Sequence, residues 1–180
     1  MNSNTLFTKE QLVLRFSQDV ALTVFTSAKF SEAQFFAPRL GKWSAAEQVK
    51  HLSLAAKPLV LALRLPRLVL SLLFGKAKKG SRSYEAIVSL YESKLKAGAK
   101  ATGDYIPQAT QQTQEQLTNE FRCYYEKLAA GVATWREADL DTYRLPHPII
   151  GKLTIREMMY FTLYHQTHHH QTLLAYWSAT

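Results

Sequence analysis

The sequence predicts an all-α fold, a four-helix bundle with an inserted basic segment or extra short helix between the second and third helices. Three observations carry this. Long segments lack the apolar–polar alternation of strands. Four of them open on Ser or Thr followed three residues later by Glu or Gln, so that paired side chains can satisfy first-turn N–H groups. Finally, 180 residues that are 47% hydrophobic and 20% charged suffice for one core and leave little room for a second, so a single domain over 1–180 is expected.

The elements follow in order. Thr8-Lys9-Glu10-Gln11 opens the first helix, placed over 9–30. Ser44-Ala45-Ala46-Glu47 opens the second, over 45–74, which Pro58 and Pro66 should bend or break. Ser83 to Ala97 forms the extra short helix before Gly98, Gly103 and Pro107 restore a loop. Thr113-Gln114-Glu115-Gln116 opens the third helix, over 113–137, and Thr154-Ile155-Arg156-Glu157 the last, over 155–177. Between these two, Leu145-Pro146-His147-Pro148 must be extended, because each proline fixes its own backbone and restricts the preceding residue.

Composition narrows the function classes. The single Cys123 excludes an internal disulfide and a sulfur-rich metal site, so a reducing cytoplasm is the expected compartment. The amino terminus has no basic start followed by an unbroken apolar run and a small-residue cleavage site, and no signal peptide is expected. Pro58 to Phe74 is strongly apolar, yet Arg64, Arg67 and Pro66 oppose a membrane span. A buried or subunit-facing helix is expected there, compatible with a homodimer; an amphipathic element on a membrane surface is the alternative. The net charge of +8 is concentrated in Gly75 to Ala101, which holds seven Lys or Arg against Glu85 and Glu92. A solvated basic loop explains this cluster, which is weak support for nucleic-acid binding.

Four of the six histidines lie in the last helix, and the helical wheel separates them. With about 100° per residue and His165 at zero, Met158, Thr162, His169 and Tyr176 all fall within about 60°, the core-facing stripe. His168 lies at its edge, and His170 points away. Two imidazoles four residues apart on one face can reach a single cation, and no Asp, Glu, Lys or Arg follows Glu157. From this helix alone, core histidines bonded to backbone and hydroxyl groups fit equally well.

His51 favours the metal. It lies seven residues past the Ser44 cap, about 10 Å along its helix, while His165 and His169 lie about 16 and 22 Å along theirs. In an antiparallel bundle about 30 Å long, His51 is level with the pair. The candidate ligands are therefore His51, His165 and His169, with Ala55 leaving room beside them. Glu47 can act as a fourth ligand, a second acceptor or a general base, although its capping position accounts for it more simply. His147 reads as a loop residue, and Trp43, Phe161 and Tyr164 as packing residues.

Trp43-Ser44-Ala45-Ala46-Glu47-Gln48-Val49-Lys50-His51-Leu52, together with His147-Pro148 through Glu157-Met158 to Tyr164-His165-Gln166-Thr167-His168-His169, resembles the DinB superfamily of bacterial four-helix-bundle proteins. The likeness spans roughly residues 35–177. It implies a divalent metal held by one histidine of the second helix and an H-x-x-x-H pair of the last, which falls on His51, His165 and His169. It also implies that some relatives are thiol transferases acting with bacillithiol or mycothiol. His170-Gln171-Thr172 departs from the common pattern of a residue, Gly, then Gln, which bears on packing or pocket shape rather than on the ligands.

Three neutral imidazoles leave a divalent ion, zinc or nickel, its full charge and an open position for an anionic ligand. The expectation is a metal-dependent enzyme activating a thiol or water, a thiol S-transferase or hydrolase, with a small-molecule substrate such as a low-molecular-weight thiol. The alternative is a non-catalytic bundle binding an acidic partner or membrane surface through its basic segment.

Overall fold

A computed structural model of the chain describes residues 6–179. Four long helices form the frame: α1 (Lys9–Ser27), α3 (Ala45–Leu63), α6 (Gln114–Ala133) and α8 (Ile155–Trp177). Each starts on one of the four capping boxes expected from the sequence. The hydroxyls of Thr8, Ser44, Thr113 and Thr154 accept from the N–H three residues on, and Gln11, Glu47, Gln116 and Glu157 reach back to the cap N–H. Helix α1 packs on α6 and α8, and α3 packs on the same two, so the four form a square with α3 beside α8. Its interior is filled by Leu12, Phe16, Leu52, Ala56, Leu117, Phe121, Leu128 and Met159, none more than marginally exposed.

Several elements differ from the expectation. The helix expected over 45–74 is two, α3 and α4 (Arg67–Phe74). Pro66 ends the first by lacking an N–H and caps the second in an extended conformation. Pro58 stays inside α3, where it removes one backbone hydrogen bond and the helix continues to Leu63. The first helix stops at Ser27 rather than 30, and a short α2 (Glu32–Phe36) follows on its own Ser31–Gln34 capping box, a signal present in the sequence. The third helix ends at Ala133 and is followed by α7 (Glu137–Thr142).

The expectation of an all-helical chain is corrected by a small hairpin. Strand β1 (Arg144–His147) is the extended proline segment, and it pairs antiparallel with β2 (Gly151–Thr154) in the register Leu145 with Leu153. Both leucines are buried, and Gly151 takes the positive φ of 80° needed to re-enter the ladder. His147 staples the turn, because its Nδ1 accepts from the N–H groups of Ile149 and Ile150 at 3.1 and 3.2 Å.

The basic segment is docked rather than a free loop. Helix α5 (Tyr84–Lys96) buries Ile87 and Tyr91 and packs on α8. Arg82 donates to the buried Glu157 carboxylate at 2.7 Å, and the Ala77 N–H donates to the Thr142 carbonyl at 2.8 Å. Helix α4 buries Leu70 but leaves Leu68, Leu72 and Leu73 exposed, so only one face of this apolar stretch is inside the fold. Among the described residues, no helix is long and apolar enough to cross a membrane.

Candidate metal centre

His51 sits in the second turn of α3, and His165 and His169 lie one turn apart on α8. Gln48 of α3 meets His169 while His51 meets His165, so the two helices run antiparallel and the three rings reach one level. The Nε2 atoms of His51 and His169 each lie 3.0 Å from Nε2 of His165, and the three residues' ligand atoms all fall within 4.8 Å of one another. Two imidazole nitrogens of a tetrahedral zinc site, with bonds near 2.0–2.1 Å, are separated by roughly 3.3 Å, so two of the three separations are a few tenths of an ångström short of those around a divalent ion.

The outer ring nitrogens fix the protons. Nδ1 of His51 donates to the Tyr105 carbonyl at 2.7 Å, and Nδ1 of His169 donates to Oε1 of Gln48. Both acceptors carry only lone pairs, so each ring holds its proton on Nδ1 and presents a bare Nε2 to the centre. His165 cannot satisfy both. A single proton on its Nε2 pairs one neighbour and leaves the other bare, and its buried Nδ1 has no hydrogen-bond partner among the described residues. Three buried nitrogens facing one point with at most one proton among them are costly as they stand and suit a cation between them.

Electrostatics favour the ligating form. Burial lowers the His51 pKa, partly offset by the Tyr105 carbonyl. Burial, reinforced by neighbouring imidazoles, holds His165 and His169 well below the ordinary histidine value. These rings are neutral at neutral pH, as metal binding requires.

The cluster forms part of the wall of a pocket of about 1220 Å³. Phe161 stacks on His165 with ring centres 5.1 Å apart, Tyr91 meets the same ring edge-on at 6.2 Å, and Trp43 lies 4.7 Å from the His51 ring. Trp43 and Phe161 thus pack on the histidine rings as expected, and both also line the pocket. Tyr164 instead donates to Glu92 at 2.7 Å, tying α8 to α5.

The other candidates separate cleanly. Glu47 accepts the Ser44 N–H at 2.7 Å and serves its cap. His168 is exposed and lines the pocket outside the nitrogen cluster. His170 faces α1, where its Nε2 is 2.9 Å from the Thr26 hydroxyl. His147 also lines the pocket while holding its turn. Sequence reasoning missed Gln48 and the Tyr105 carbonyl. Gln48 had a signal, being one turn before His51 on the same helical face. The carbonyl had none, because it arrives from a loop 54 residues away.

Three buried imidazoles brought together from two antiparallel helices at the wall of a pocket are the arrangement from which helical bundles can build metal sites in their cores. The chain is a member of the DinB superfamily, whose sequence profile matches residues 14–173. No curated protein and no solved structure matches it.

Proposed function

We propose that this protein is a metal-dependent enzyme in which His51, His165 and His169 hold zinc or nickel and a thiol or water is activated for transfer or hydrolysis. The observation that carries this is the convergence of three Nε2 atoms, two of them held as bare acceptors by the bonds of their outer nitrogens, with one proton at most, that of His165, to share among them. A divalent ion on three neutral imidazoles keeps its charge and favours the anion of a bound water or thiol near neutral pH. The protein's own groups supply the rest. Gln48 and the Tyr105 carbonyl orient the rings, while Trp43, Tyr91 and Phe161 limit water around them. His168, exposed on the pocket wall, adds an imidazole beside the cluster that can take up or give a proton.

The test begins with metal content. Untagged protein should hold about one divalent ion per chain, and His51→Ala or His169→Ala should lose it. Unchanged stoichiometry and affinity in both variants would rule out these ligands. Conjugation of a model electrophile with low-molecular-weight thiols then tests the transferase reading, and no metal-dependent rate with any thiol removes it.

One surface favours a second reading, binding of an acidic partner or membrane surface. Helix α4 exposes Leu68, Leu72 and Leu73, and the basic segment that follows it, residues 75–101, carries seven Lys or Arg against Glu85 and Glu92, of which Arg82 is paired with Glu157. Salt-sensitive retention on anionic vesicles, unaffected by the histidine substitutions, would support it.

A further inference from the structure

The pocket extends well beyond the histidines, and its two ends differ. Along α8 its wall includes Met158, Phe161, His165, His169, Thr172 and Tyr176, a run of about 27 Å at 1.5 Å per residue. Beside Met158 the lining is apolar, with Leu59, Ala62 and Phe74. Towards Tyr176 it becomes cationic. The Arg39 guanidinium lies 4.6 Å above the Tyr176 ring, and Lys42 follows on the same turn, its N–H donating to the Arg39 carbonyl at 3.0 Å.

Two features mark this corner as built for an anion. Arg39 Nε and the Tyr176 hydroxyl are both buried with no hydrogen-bond partner among the described residues. Such donors each cost free energy until an acceptor reaches them. The pocket lining also contains Arg39, Lys42 and Lys100 but no Asp or Glu, and none of the three cations forms an ion pair among the described residues. The wall therefore offers donors and positive charge with no protein acceptor to neutralise them.

We infer that the pocket binds an amphiphilic organic carboxylate, its anionic head at Arg39 and Tyr176 and its apolar body running from there past the three histidines towards Leu59, Ala62 and Phe74. Tyr176 is seven residues beyond His169 and within about 20° of it on the helical wheel. The head therefore lies about 10 Å along α8 from the histidines, and the bond acted on lies that far from the carboxylate. This names the substrate class of the proposed site, and it rests on that pocket being the substrate site; the head group's recognition is independent of the metal.

The experiment is calorimetric titration of the full-length chain with decanoate and with decanol, with and without a chelator. Decanoate should bind at least about tenfold more tightly than decanol, as expected for charge-assisted hydrogen bonds to a buried donor pair. Arg39→Gln should remove about tenfold of decanoate affinity and leave decanol unchanged, and Tyr176→Phe, which keeps the ring, should weaken decanoate selectively by a smaller factor. Equal binding of the two probes, or loss of both alike in the variants, overturns the inference. If Arg39→Gln does not fold, Tyr176→Phe decides alone. Because the preference is read in chelated protein, it holds or fails separately from the metal ligands, which the histidine substitutions test.

Discussion

Replacing Gln48 by Leu should weaken metal binding without touching any ligand. In the folded chain Gln48 Oε1 accepts the Nδ1 proton of His169, and this bond keeps the Nε2 lone pair directed at the other two rings. His169 is only 7% exposed, so no solvent replaces the lost acceptor freely. Two outcomes follow for the ring. Either its Nδ1–H remains buried and unpaired, or the proton moves to Nε2 and must be displaced before ligation. The first costs about 1–3 kcal/mol, and loss of such a supporting acceptor ordinarily reduces metal affinity by about 10–100-fold. Competition of Gln48→Leu with a chromophoric chelator at fixed pH measures this directly, with circular dichroism verifying that helicity is retained. Glu47→Gln is the control, since Glu47 serves the helix cap and its change should leave metal affinity within about twofold. Parent-like affinity in Gln48→Leu would refute the tautomer argument, and with it the reason for placing a cation between the rings.

Other outcomes follow from the same contacts. Burial pushes His147 from 6.5 down to about 4, and its Nδ1 already accepts two N–H groups. The unfolded chain therefore binds this proton at higher pH than the folded one, so stability is full above pH 6.5 and is lost as pH falls towards 4. At 1.36 kcal/mol per unit, reduced for partial exposure, the loss is about 2–3 kcal/mol. Urea unfolding at the two ends of that window should show His147→Asn, which keeps an acceptor, losing less stability on acidification than the parent; equal losses would contradict it. Arg156 is 2% exposed and donates to Asp141 at 2.7 Å and to the Phe7 carbonyl, so Arg156→Leu should cost about 1–3 kcal/mol in denaturant unfolding by leaving these acceptors without their donor, the half-exposed Glu137 being solvated in its place. Zinc at about 100 times its Kd should stabilise the parent by about 2.7 kcal/mol, read as a chelator-reversible rise in Tm, and His169→Ala should show no such rise.

Much of this architecture was written locally. Every capping box expected from Ser or Thr and its partner three residues on is formed, because the motif involves a single turn and needs nothing distant. The shared face of His165 and His169 followed from 3.6 residues per turn, and the level of His51 from the rise per residue along an antiparallel neighbour, whereas His170, expected to point away, is met by Thr26 of α1. Pro66 broke its helix as its chemistry requires. The misses are of two kinds. The α2 cap was legible and was overlooked, whereas β2 had no local mark, since it exists only where β1 lies beside it and Leu145 and Leu153 share one burial.

What the sequence determined by itself is a helical frame carrying three imidazoles at matching heights, because capping, periodicity and rise act within a few residues. What tertiary structure alone decided is the environment of those imidazoles. The Tyr105 carbonyl that sets the His51 proton, the aromatic rings around His165, and the meeting of Arg39 with Tyr176 all join segments far apart in the chain. Such encounters depend on how whole helices pack, and side-chain packing in a dense interior is settled by all the neighbours together rather than by any stretch of sequence alone.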